Sequence, residues 1–195
     1  MNSQSDKKNP YQSRLRAEQA AATSQLVLDT ATRLFVERGY AATSIDAIAE
    51  TAGVGRSTVF TAAGGKPWLL KTAYDRAVVG DDEQVPLADR PAARQLFEMT
   101  DPAQIVAAYA GILSEAAQRV SAIYEVVRSA AGLDPEVRQL WTDIREQRLT
   151  GAQTIVALLK KRRGLRKGLS VDAACDVVWV FNDPGLHHTL VGERG

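Results

Sequence analysis

Cysteine is almost missing from this chain. Cys175 stands alone, so no internal disulfide can form, and burial must hold the fold together. Histidine is nearly absent too: only His187 and His188 occur, side by side near the C-terminus, leaving little for general-base chemistry. Adjacent helical residues point about 100° apart. No set of cysteines or carboxylates with metal-like spacing surrounds the pair, so surface or interface roles fit it better than metal ligation. No apolar run approaches the roughly 18–20 residues that span a bilayer. The opening MNSQSDKKNPYQSRLR is polar and basic with no apolar stretch behind it, unlike a secretory signal. Walker loops, nucleotide-binding glycine patterns and nucleophile elbows are also missing. These absences argue against a membrane span, a disulfide scaffold and the common enzyme classes. They leave a cytoplasmic protein that needs no cofactor and binds rather than catalyses.

Charge of one sign is lacking overall, since the net is +1 over 195 residues. Its distribution is slightly uneven. Residues 1–76 hold 10 Lys+Arg and 7 Asp+Glu, whereas residues 77–195 hold 14 and 16. The basic surplus lies in the first part and is too small to identify a nucleic-acid binder by itself.

What is present is helical patterning throughout. Residues 1–12 read as a disordered arm. A helix follows from about Ser13 to Arg38, with an apolar stripe of Leu26, Thr30, Leu34 and the neighbouring Val27, Ala31 and Phe35. Gly39 ends it. Thr43 or Ser44 caps a short helix to about Thr51, with Asp46 in its first turn. Ala52-Gly53-Val54 is a turn, and a second short helix runs from about Gly55 to Ala62. Gly64-Gly65 break the chain before a helix from about Lys66 to Val79. Residues 80–101 are an irregular link, with one short helix near Arg90–Glu98. Asp101-Pro102, Ser170 and two further Asp-Pro pairs, at Asp134 and Asp183, each open a helix, by a cap or by a cap followed by proline at the first position. No strand-like alternation occurs. The expected fold is all-α: an N-terminal three-helix domain over residues 1–80, then a helical-bundle domain over residues 81–195.

The informative window is Ile45 to Ala62. A helix-turn-helix needs a small residue where its helices cross, and Ala49 supplies it. Four residues on, the turn favours positive φ, and Gly53 supplies that. Ile45, Ile48, Ala52, Val54, Val59 and Ala62 are apolar where the motif turns inward. The outward set is Gly55, Arg56, Ser57, Thr58 and Thr61, whose short polar and basic side chains suit base edges and phosphates. An ordinary helical hairpin would share the alanine and glycine but need not meet every other position.

The run LFVERGYAATSIDAIAETAGVGRSTVF, with Lys66 and Leu69-Leu70 beyond it, resembles the N-terminal signature of TetR/AcrR-type transcription regulators. Leu34-Phe35, Gly39-Tyr40, Thr43-Ser44, Ile48-Ala49, Ala52-Gly53-Val54, Thr58 and Lys66 fall in register over about Gln25 to Leu70. The resemblance implies that the helix Gly55–Thr61, including Phe60, enters the major groove. It also implies phosphate contacts from Thr43, beside Ser44, and from Lys66. A C-terminal helical domain would then dimerise, through the segments about Ser170–Asn182 and Pro184–Glu193, and hold an effector. The implied partners are double-stranded, palindromic operator DNA, a second copy of the chain and a small effector that releases a repressor.

The chain departs from the pattern at Gly55, where serine is usual, and at Phe60, where an aromatic hydroxyl is usual. It departs again at Ala62-Ala63, where a His-Phe pair is frequent. It also stops at HHTLVGERG, where relatives often continue the last helix, so a short or trimmed chain is expected.

Tyr109, Tyr124 and Trp141 join apolar bodies to polar tips and are the expected ligand-binding residues, suiting an apolar or aromatic effector. Arg128 or Arg145 could receive an acidic group, although exposed ion pairing suits them better. Lys7, Lys8, Arg14 and Arg16 give the arm a DNA-contacting reading beside that of a solvated tail. Two rival readings stay open at this point: a dimeric DNA-binding protein without a ligand, and a helical interaction module that no longer binds DNA.

Overall fold

The computed structural model describes residues 10–80 and 90–194. Residues 1–9, with Lys7 and Lys8, and the link residues 81–89 lie outside the described set. Every described element is helical: α1 (Pro10–Ala42), α2 (Ile45–Ala52), α3 (Arg56–Ala63), α4 (Lys66–Val79), α5 (Pro91–Glu98), α6 (Pro102–Ala130), α7 (Pro135–Lys161), α8 (Val171–Phe181) and α9 (Pro184–His187), which runs on as a wider turn over His188–Glu193. None of the described helices is long and apolar enough to cross a membrane.

Helix α1 reaches back to Pro10, further than the arm reading allowed. Proline has no N–H to leave unpaired and its φ suits the first turn, so it starts this helix instead of breaking it. At the other end Gly39 takes φ 78° and ψ 169°, outside helical space, and α1 kinks there before a last turn over Tyr40–Ala42. Gly53 takes φ 68° and ends α2 in the left-handed conformation, which glycine adopts without a Cβ clash. The expected caps are in place. Ser44, Asp101, Asp134, Ser170 and Asp183 each accept a first-turn backbone N–H. Each such cap stabilises its helix by about 1 kcal/mol.

The stripe on α1 is rotated relative to the expectation. Val27, Ala31, Leu34 and Phe35 are fully buried, Leu28 and Thr30 nearly so, and Leu26 is 48% exposed. In α3 the buried pair is Val59 and Ala63, with Ala62 half-buried. The first core joins this stripe to Ile48, Leu69 and Leu70, and continues without interruption into Ile123, Tyr124, Val127, Val137, Leu140 and Ile144. The buried cluster is therefore continuous across residue 80. Arg76 of α4 is ion-paired to Asp29 of α1, so α4 is tied to the first helix while it packs on α6. A second core, around Leu96, Ile105, Val156, Leu159 and Cys175, holds α5, α6, α7 and α8 together.

The rotation of the stripe can be measured. Leu34→Ala should cost about 2–5 kcal/mol of unfolding free energy in urea, and Leu26→Ala no more than about 0.5 kcal/mol. Equal losses would refute the assignment of faces.

Candidate functional site

The outward face of α3 lies at the surface beside α2. Arg56, Ser57, Phe60 and Thr61 are exposed, as is Gly55 at the N-cap, and Thr58 is half-buried. Gly55 has no side chain to cap α3, and no side-chain cap forms. The serine usual at this place would have supplied one, at a cost to this chain of a few tenths of a kcal/mol. Thr61 donates its hydroxyl to the Ser57 carbonyl at 2.9 Å.

Arg56 is the most exposed cation of this face, and it is already engaged. Its Nη1 reaches both carboxylate oxygens of Asp46, at 2.6 and 2.5 Å, and its Cζ lies 5.6 Å from the centroid of the Phe60 ring. Both charged side chains are more than half exposed, so the pair is weak and easily exchanged for a stronger anion. Phe60, which cannot donate a hydroxyl proton, instead offers Arg56 an aromatic face.

Thr43 and Ser44 separate into different roles. Ser44 is exposed and caps α2, accepting from Ala47 N at 3.0 Å. Thr43 is fully buried. Its hydroxyl faces the Leu34 carbonyl at 3.1 Å and the Gly39 carbonyl at 2.8 Å. That side chain spans the kink of α1 and has no path to a phosphate.

Lys66, at the start of α4, is half-buried. Its Nζ lies 3.9 Å from the centroid of the Tyr40 ring. Burial lowers its pKa, and the nearby charge of Asp134 opposes that shift. Tyr40 in turn donates its hydroxyl to Asp134 Oδ2 at 2.7 Å, across 94 positions of sequence. Asp134 is held below the ordinary carboxylate range, first by this hydrogen bond, and the Tyr40 phenol is raised, first by its burial. Asp134 also caps α7, accepting from Glu136 N at 2.9 Å. Tyr40, Lys66 and Asp134 thus connect the first helices to the α6–α7 corner. The Asp-Pro signal identified Asp134 as a cap, but nothing local to it signals Tyr40.

In the second half, Tyr124 and Trp141 come together with ring centroids 5.2 Å apart, Tyr124 being fully buried. Tyr109 is half-buried and packs on the second core, with its hydroxyl hydrogen-bonded to Asn182 and within reach of the Arg148 charge. Two open clefts mark the surface. One, of 350 Å³, is lined by Gln25, Ala73, Arg76, Gly80 and Arg119 among others. The other, of 430 Å³, lies along α7 from Asp143 to Thr150. Neither touches Tyr109, Tyr124 or Trp141. Arg128 is paired with Glu125 at 2.6 Å, and Arg145 lies 5.6 Å from the Trp179 ring. The cation that meets the aromatic residues is Arg148, which the sequence did not single out. Its Nη1 donates to the Tyr124 hydroxyl at 3.0 Å. On α1, Arg14 pairs with Glu18 at 3.3 Å and both are largely exposed.

Thr43→Val should remove the kink's tie and cost about 1–3 kcal/mol of stability, because a buried carbonyl and a half-buried one lose their donor. Tyr40→Phe should cost on the order of 1 kcal/mol at pH 7. A carboxylate with a lowered folded pKa contributes stability above its unfolded pKa of about 3.9. That contribution is lost as the pH falls through the folded value. Urea denaturation should therefore show a smaller gap between wild type and Tyr40→Phe at pH 3 than at pH 7, and an unchanged gap would refute the charged hydrogen bond.

Residues 27–72 match the family described as bacterial regulatory proteins, tetR family. No curated protein matches the chain. Among solved structures, a HlyIIR mutant carrying a linker with two thrombin sites is 16% identical, with a TM-score of 0.62 over 89% of this chain and 90% of its own. NalD, the secondary repressor of the MexAB-OprM multidrug efflux pump in Pseudomonas aeruginosa, is 19% identical, with a TM-score of 0.61 over 90% of this chain and 95% of its own. PfmR, a TetR family transcriptional regulator from Thermus thermophilus, is 21% identical, with a TM-score of 0.58 over 82% and 87%. At such identities these likenesses are ones of fold. Together they lead to one conclusion: residues 27–72, which hold the helix-turn-helix, are similar to the bacterial regulatory proteins of the tetR family, and the all-helical fold is shared with these solved structures.

Proposed function

We propose that this protein is a homodimeric cytoplasmic repressor whose α3 helices read a palindromic operator, and that a small-molecule effector bound in its C-terminal half releases it. The observation that carries the reading is the exposed face of α3, with Arg56, Ser57 and Thr61 turned to solvent over a rigid apolar underside of Val59 and Ala63. Short polar and basic groups on a helix of this size fit a major groove. Gly55 and Phe60 sit on the same face, Gly55 allowing close backbone approach. Ser44, Thr58 and Lys66 flank it as groups for the phosphate backbone. Thr43 acts in this reading through the backbone it fixes, because its hydroxyl is committed inside.

A second copy is supported by the apolar surface at the C-terminal end. Val177 and Val180 are about half exposed and Phe181 is 75% exposed, with Leu190 and Val191 beyond them also more than half exposed. Large exposed apolar side chains grouped at one end of the chain support an interaction site there. A twofold dimer built on it would need its two α3 helices about 34–36 Å apart to meet successive major grooves. NalD is a repressor, which supports the same mode here.

Coupling between the two ends has two physical routes. Helix α4 is tied to α1 through Arg76 and packs on α6, so it acts as the lever. Tyr40 and Asp134 form the second link, beside Lys66. A ligand releases the operator only if it binds better to the arrangement whose α3 spacing fails. The alternative, a dimeric regulator without an effector, is favoured by one observation: Tyr124 and Trp141 pack into the core and line neither cleft.

Fluorescence anisotropy with the protein's own upstream DNA, at two salt concentrations and against an unrelated duplex, tests the DNA reading. Tight, salt-sensitive and promoter-selective binding is expected. Equal weak binding to the upstream and unrelated duplexes, and to a genome-wide fragment pool, would overturn it. Lys66→Ala should weaken binding to both duplexes alike and reduce the salt slope by about 1. Asp134→Asn should leave promoter affinity within a few-fold and reduce the response to any effector, since it cuts the link and not the reading face.

A further inference from the structure

Arg148 is a charged side chain that the core has enclosed. It is only 10% exposed, and its partner Asp183 is 32% exposed, with Nη2 to Oδ2 at 3.0 Å. Besides the Tyr124 hydroxyl, the guanidinium donates to the Trp179 carbonyl at 2.8 Å and to Asn182 Oδ1 at 3.3 Å. Its Cζ lies 5.1 Å from the Trp179 ring. Three helices and the α8–α9 turn therefore converge on one cation. Tyr74, on the lever α4, is buried within electrostatic reach of both Arg148 and Asp183. Two polar atoms of this end of the molecule, Trp179 Nε1 and His187 Nδ1, are buried without a hydrogen-bond partner.

Charge balance restricts what can enter here. A buried guanidinium stripped of its carboxylate is strongly destabilising, so a neutral molecule cannot displace Asp183 without leaving Arg148 uncompensated. A carboxylate can, because the exchange keeps the charge paired throughout. Asp183 is the more exposed member of the pair and can rotate out to water. The surroundings supply the rest of the recognition: the Trp179 ring for an apolar or aromatic body, and the unpaired Trp179 Nε1 as a donor for a second acceptor.

We propose that the effector is a small carboxylic acid with an apolar or aromatic body, whose carboxylate replaces Asp183 on Arg148. This rests on the effector-released reading given above. Replacement loosens the turn that Asp183 otherwise anchors between Arg148 and Gly185 N, to which it is bonded at 2.8 Å. It also changes the charges facing Tyr74 on α4, which connects the event to the DNA-reading end.

The test compares each acid with its own primary amide, using the full-length protein: benzoate, 3-phenylpropanoate and decanoate against benzamide, 3-phenylpropanamide and decanamide. Binding is read by calorimetry and release by anisotropy on promoter DNA. At least one acid should bind about tenfold or more tighter than its amide, and should release the promoter. Asp183→Asn keeps the shape of the turn and removes the competing charge. It should tighten that acid by a further several-fold and leave the amide unchanged, a gain that a purely structural ion pair would not give. Arg148→Gln should abolish the preference, and far-ultraviolet circular dichroism identifies a variant that has failed to fold. Acid and amide of equal affinity, or an Asp183→Asn variant with unchanged acid affinity, would overturn the proposal while leaving an effector-released repressor standing. If neither acids nor amides bind while promoter binding is intact, the proposal falls together with the effector reading.

Discussion

Helix α1 is too long to continue straight if α2 and α3 are to pack across it, and the kink at Gly39 resolves this. Glycine permits the turn, but permission alone would leave a hinge. Thr43 fixes it by placing a buried hydroxyl between the carbonyl of Leu34, before the kink, and that of Gly39, at it. From that point Ser44 starts α2, Gly53 turns the chain and α3 follows. The orientation of α3 is therefore set by a side chain that never reaches the surface.

The same kink delivers Tyr40 to the far half of the molecule. Its ring lies under Lys66 and its hydroxyl on Asp134, so the backbone feature that aims α3 also connects it to the start of α7. The apolar core runs through this junction without a seam, from Phe35 to Tyr124 and Ile144. Movement of the α6–α7 corner cannot be absorbed by a soft boundary between domains. It must be accommodated by repacking or passed on to α1 and α4. A continuous core of this sort favours discrete arrangements over the independent motion of two loosely tethered modules.

Local chemistry was legible in the sequence. Every Asp-Pro pair opens a helix where it was expected to, Ser170 caps α8, and the turn at Gly53 is left-handed. These signals act within four residues, so one chain carries them in full. The helix-turn-helix was legible for the same reason, since its demands on Ala49, Gly53 and the inward apolar positions are imposed by two adjacent helices. What escaped was set by distant partners. The choice between Thr43 and Ser44 as cap depends on which hydroxyl the kink turns inward. Leu26 reads as core on α1 until α4 and α6 define which side is covered. Arg148 has a sequence neighbourhood like that of Arg145, and only the arrival of α8 and α9 encloses one and leaves the other on the surface. Pro10 was ambiguous because proline both breaks and begins helices.

The exposed apolar end of the molecule makes the behaviour proposed above depend on how much protein is present. Phe181 and its neighbours on α8 and the segment after it are in water as long as the chain is alone, and pairing them removes that surface from solvent. If a second copy pairs there, association follows mass action, and whatever the pairing contributes to stability depends on how much protein is present. If only the paired form fits a twofold site, occupancy at low copy number rises with roughly the square of the monomer concentration. A modest change in synthesis or turnover would therefore move the target from mostly free to mostly occupied, giving a threshold in dose that no single contact with DNA could provide.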